Sequence, residues 1–122
     1  MKNFPSFNPP PSLPVISRTI TIYKLWHEFL LNFPKGSRYS LGIKIDNLII
    51  ETVELILTAS RLPKNQKLPY LQKANSKLDL LKFFLQLAWE IKSLDDRKYI
   101  ILSEHLNEIG RMLGGWQRQL SN

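Results

Sequence analysis

The chain contains two histidines and no cysteine, so metal or nucleophile chemistry would have to rest on very few residues. His27 and His105 are far apart in sequence, and neither sits in an HExxH arrangement. Glu104 and Glu108 are near His105, and His105 to Glu108 is one helical turn. Di-metal bundle sites take several inward glutamates and a Glu-x-x-His unit, and no Glu-x-x-His occurs. Both histidines are therefore read as interfacial or solvated, with no metal and no cofactor expected. Asp95-Asp96 resembles an acid pair, but at a helix start two carboxylates serve free N–H groups and the macrodipole. The serines have neither a base nor an oxyanion-type turn beside them.

Gly110-Arg111-Met112-Leu113-Gly114-Gly115-Trp116 is the most distinctive string. It is not a phosphate loop, because no strand precedes it and the P-loop lysine is missing. Each glycine within a helix costs about 1 kcal/mol relative to alanine. Gly110 and Gly114 share a helix face, which predicts a close helix-to-helix approach, with Trp116 closing the end of the core.

The remaining chemistry is charge. The 122 residues carry a formal +7. Arg61, Lys64, Lys67, Lys73 and Lys77 lie in one segment with no acid among them. Such a cluster suits phosphate contacts, with Tyr70 available for stacking; the bland alternative is a solvated lysine-rich surface. Aromatics are not interleaved with the cations, so nucleic-acid binding would be led by the backbone and weak in sequence preference.

Four helices position these residues. Val15 to Phe33 carries Ile16, Ile20, Tyr23, His27 and Leu30 at helical spacing, and Pro34-Lys35-Gly36 ends it. The second helix runs from near Tyr39 to about Ser60, before Pro63. The third starts near Leu68 or Pro69 and reaches about Lys92. The fourth follows Ser93 or Asp95, with Tyr99, Leu102, Leu106, Ile109, Leu113 and Trp116 on one face. No segment alternates like a strand. Short connections predict an all-α, antiparallel up-down-up-down four-helix bundle over residues 15–120. In that topology Arg18, Arg118 and Arg111 join the 61–77 cations at one pole. Residues 1–14 are proline-rich and read as an N-terminal arm that forbids helix, either a disordered tail or a strap placing Phe4 and Phe7 on a neighbouring subunit.

The two middle helices are too apolar for a lone bundle. Leu41, Ile45, Leu48, Ile49, Leu55, Ile56 and Ala59 form one face of the second, and Ile43, Ile50, Val53 and Leu57 another. Lys44, Asn47, Glu51, Glu54 and Thr58 are left a polar stripe only about 80° wide. The third helix places Leu71, Ala74, Leu78, Leu81, Leu85 and Ala88 on one face and Leu80, Phe84, Leu87 and Ile91 on a second. A surface helix needs one apolar stripe, so the second faces predict contact with another copy. No stretch resembles a secretory signal or a membrane span, which makes the cytoplasm the default compartment.

The string from Glu108 to Trp116, the helix that follows the Phe33-Pro34 break, and a basic, aromatic-rich third helix together resemble the Avd proteins. These are the accessory variability determinants of diversity-generating retroelements, related to bundle proteins encoded in 23S ribosomal RNA intervening sequences. The resemblance spans roughly residues 15–120. It implies a four-helix bundle assembled as a closed homopentamer, without a catalytic centre. It further implies a basic protein that binds the element's reverse transcriptase and RNA or DNA during mutagenic retrohoming. Arg111 matches the arginine of the family string. The alternative is a structural bundle of the intervening-sequence type, acting as a protein-interaction scaffold with incidental charge.

Overall fold

A computed structural model describes residues 12–121. Four long helices follow one another: α1 (Ser12–Leu30), α2 (Ile43–Arg61), α3 (Lys64–Glu90) and α4 (Asp96–Ser121). Among the described residues there is no strand. Each helix packs on its sequence neighbours, and α1 also packs on α4, so the four close into the expected all-helical bundle.

Prolines mark the largest departures from the expected boundaries. α1 begins at Ser12, so Pro14 is helical and the arm is at most 1–11; that segment, with Phe4 and Phe7, lies outside the described residues. Pro14 is tolerated because N–H groups in a first turn have no intrahelical acceptor. α3 begins at Lys64, directly after Pro63, and runs through Pro69. At its sixth residue, Pro69 removes only the N–H that would reach the Asn65 carbonyl.

α1 ends at Leu30, three residues short of the expected Phe33, and hydrogen-bonded turns carry the chain on to Pro34. A single turn (Lys35–Ser37) and a π-helical segment (Arg38–Gly42) then lead into α2. Arg38 closes the corner by donating to the carbonyls of Leu31 (3.1 Å) and Phe33 (3.0 Å). Gly42 packs closely here, since a Cβ would sit 3.0 Å from the end of the Leu30 side chain, which would have to shift. At the start of α4, the Asp95 carboxylate accepts from the Lys98 N–H at 2.9 Å, which is the capping role expected of it.

The core face of α3 is buried at all six expected positions, and that of α4 at Leu102, Leu106, Ile109, Leu113 and Trp116. On α2, Ile45, Leu48, Ile49, Ile56 and Ala59 are buried, with Leu41 and Leu55 half-buried. Thr52 joins that face by donating its hydroxyl to the Leu48 carbonyl at 2.7 Å. The α1 residues picked out by their helical spacing are not its innermost face. Val15, Thr19, Ile22, Trp26 and Phe29 point inward, whereas Ile20 and His27 are exposed. The two sets lie about 100° apart around the same helix. Trp26 settles the choice: it is fully buried and meets Phe33 edge-on at 5.6 Å.

Candidate nucleic-acid interface

The basic pole forms at the two-residue corner between α2 and α3. Leu62 and Pro63 are extended, so α2 ends abruptly at Arg61 and α3 starts at Lys64. The first turn of α3 holds no acid and receives no side-chain cap. Arg61 and Lys64 are exposed. Lys67 turns inward instead, donating its amine to the Ala59 carbonyl at 2.7 Å and lying 5.9 Å from the centre of the Trp116 ring. This caps the C-terminus of α2 with a cation. Lys73 is exposed and lies over Tyr70 at 5.4 Å. Arg118 packs along its own helix, where a Cβ on Gly114 would sit 3.4 Å from its guanidinium.

Three of the eight cations grouped at this pole are engaged elsewhere. Lys77 pairs with Glu51 across α2 and α3 at 3.0 Å. Arg111 binds Glu108 one turn earlier on α4. Its hydrogen bond holds the Glu108 carboxyl below the usual carboxylate range; partial desolvation opposes this, and the charges of Arg111 and Arg18 reinforce it. Arg18 donates to Nδ1 of His105 at 3.1 Å. A guanidinium cannot accept, so this bond requires the His105 proton to be on Nε2. Arg18, His105, Glu104, Glu108 and Arg111 thus form a mixed-sign groove between α1 and α4. Among the described residues, Arg61, Lys64, Lys73 and Arg118 carry no ion pair.

The glycine-tryptophan string has two roles. Gly110 faces α3, where a Cβ would meet Leu78 and the Lys82 amine, each at 3.6 Å. Gly114 faces no other helix, contrary to expectation: its neighbour is Arg118. The helix continues through both glycines to Ser121, and Trp116 is buried as the end of the core.

None of the eight residues assigned to self-association is buried. Ile43, Ile50, Leu80 and Ile91 are exposed; Val53, Leu57, Phe84 and Leu87 are half-buried. The two sets occupy different sides of the bundle. Ile50 and Val53 line a groove between α1 and α2 together with Ile20 and Tyr23, two of the α1 residues picked out by their helical spacing. The α3 set runs beyond the α2 polar stripe, where the Lys44 amine lies 5.8 Å from the Phe84 ring.

Among the described residues, no group of three or more His, Cys, Asp or Glu could hold a metal. His27 is exposed and stacks on Tyr23 at 6.3 Å. No described helix is long and apolar enough to cross a membrane.

The family model described as bAvd-like matches residues 15–120, the stretch that forms the bundle. No curated protein matches the chain.

Proposed function

The chain belongs to the bAvd-like family, the Avd-type accessory proteins of diversity-generating retroelements, and we propose that it works there as a non-enzymatic adaptor that binds polyanions. It holds RNA or DNA at its basic pole and the reverse transcriptase on another surface, in support of mutagenic retrohoming. The observation that carries this reading is the α2–α3 corner, where the exposed Arg61 and Lys64 flank a two-residue turn and residues 61–77 hold five cations and no acid. Contacts of this kind neutralise phosphates and release counterions, so affinity falls steeply with salt and depends little on sequence.

Self-association is part of the same proposal. The apolar groove between α1 and α2 and the apolar face of α3 lie on different sides of the subunit. Two different patches suit a head-to-tail contact, and such contacts close into rings. The resemblance to Avd proteins makes a pentamer the proposed copy number.

Fluorescence anisotropy of labelled single-stranded RNA and of an RNA–DNA hybrid tests the polyanion reading. Binding should weaken linearly in log–log form as salt rises. Replacing Arg61, Lys64, Lys73 and Arg118 together by glutamine should weaken it by at least tenfold while helical content stays unchanged. Unchanged affinity in that variant would remove the pole from the account.

A further inference from the structure

The outward side of α1 carries an apolar stripe that starts at the first turn of the helix. Leu13, Ile16, Ile20, Tyr23 and His27 follow one another at steps of three and four residues and so share one side. Leu13 is 49% exposed and Ile20 is 47% exposed, although the core face of the same helix is separate and complete. Against α2, Ile20 and Tyr23 wall a hollow of about 400 Å³ that Ile50 and Val53 close from the other side. Tyr23 and Lys24 continue it into a second depression bordered by His27. The Tyr23 and His27 rings stack along this stretch. Lys24 and Glu54, one of each sign, are the charged residues that line the hollow.

An apolar groove lined by aromatic rings suits a proline-rich chain, whose extended helix is preformed and loses little entropy on docking. This protein carries such a segment directly before α1. Asn3-Phe4-Pro5-Ser6-Phe7-Asn8-Pro9-Pro10-Pro11 is uncharged and lies outside the described residues. Its spacing fits the groove. Ile20 and Tyr23 stand about 12 and 16 Å along α1 from Ser12. Phe7 precedes Ser12 by five residues, a reach of about 15 Å as polyproline chain. Phe4 comes one polyproline turn earlier, about 9 Å, so both rings project from the same side. Ile20 to His27 is a similar span, about 10 Å along α1.

We propose that residues 3–11 fold back along α1 of their own subunit, with Phe7 in the hollow between Ile20 and Ile50 and Phe4 beside Tyr23 and His27. The tether favours this occupant: an attached segment meets the groove at roughly millimolar effective concentration. Composition favours it too, because the segment brings no charge to an apolar site. Nucleic acid would find one cation there, Lys24, offset by Glu54. A groove filled by prolines and phenylalanines is still an apolar side for a neighbouring copy to pack on, so arm docking and self-association stand independently.

The chain has no cysteine, so a pair introduced by mutation reports proximity without background. Ile50 and Leu80 are both exposed, on different sides of the bundle, so folding should persist when either is replaced. Under mild oxidation, Phe7→Cys with Ile50→Cys should form a disulfide within one chain at least tenfold faster than Phe7→Cys with Leu80→Cys. A non-reducing denaturing gel and the intact mass identify the product. In a second measurement, Phe4→Ser with Phe7→Ser should uncover the groove and raise the fluorescence of the apolar dye ANS severalfold. Equal oxidation rates for the two pairs would overturn the proposal, as would unchanged dye fluorescence. Disulfides that join two chains would also overturn it, by making a neighbour's arm the occupant. A bond within one chain supports it whether the protein is a single copy or an assembly, which keeps its failure distinct from that of the self-association reading.

Discussion

The Lys67 amine lies 5.9 Å from the centre of the Trp116 ring, joining the corner that presents the cations to the string that distinguishes the chain. The same amine caps α2 through Ala59. Lys67→Met retains the aliphatic stem but loses the charged hydrogen bond, and should cost roughly 1–2 kcal/mol. Trp116→Ala should cost about 3–5 kcal/mol, because a large buried ring is removed. Urea denaturation of each variant measures both; equal costs would show that Lys67 depends wholly on the ring.

The cations should divide by their partners. Arg18, Lys77 and Arg111 are engaged with His105, Glu51 and Glu108. Each glutamine substitution at Arg61, Lys64, Lys73 or Arg118 should flatten the salt dependence of RNA binding by close to one unit of slope. Substitutions at Lys77 and Arg111 should change it far less. Anisotropy titrations across several salt concentrations distinguish the groups.

Lys92 has a φ of 65°, the left-handed conformation, in the residue after α3 winds down. The bonds from Ser93 and Leu94 N–H to the Ala88 carbonyl require the chain to turn there. Lys92→Gly relieves a strain of about 1–2 kcal/mol and gives back part of it as unfolded-chain entropy. A net gain of about 0.5–1 kcal/mol in thermal or urea unfolding is the expected result.

Glu108 should titrate below the ordinary carboxylate range, chiefly because Arg111 donates to it. A folded value below the unfolded one contributes stability at pH above the unfolded value, and that stability is lost as pH falls through the folded one. Arg111→Gln should therefore return the Glu108 titration toward the usual range. Carbon-detected NMR of the side-chain carboxyl follows this directly.

Periodicity read α3 and α4 correctly because each has one continuous aliphatic face, such as Leu71-Ala74-Leu78-Leu81-Leu85-Ala88, that no other face rivals in length. It did not identify the innermost face of α1, for a physical reason. Ile16, Ile20 and Tyr23 compete with Val15, Ile22 and Phe29, and only the packing of Trp26 on Phe33 decides between them. The spacing is informative even so, since Ile20 and Tyr23 line the outward groove with Ile50 and Val53. The cluster at 61–77 was plain from composition, but its internal partners were not. Glu51 is 26 positions from Lys77 and His105 is 87 from Arg18, and helical spacing cannot register such distant pairs. The stacking of Trp89 on Tyr99, 4.9 Å apart, was not legible because the two residues come from either side of a turn, where neither helix's period applies.

Two apolar sides on one basic subunit are the feature on which the proposed assembly and function rest. Multi-angle light scattering of the purified chain at micromolar concentration tests this most directly. The account predicts a mass several times 14.3 kDa, falling toward the single-chain value when Ile50→Asp or Phe84→Glu buries an unpaired charge in the contact. A stable species of 14.3 kDa in the unaltered protein would contradict it.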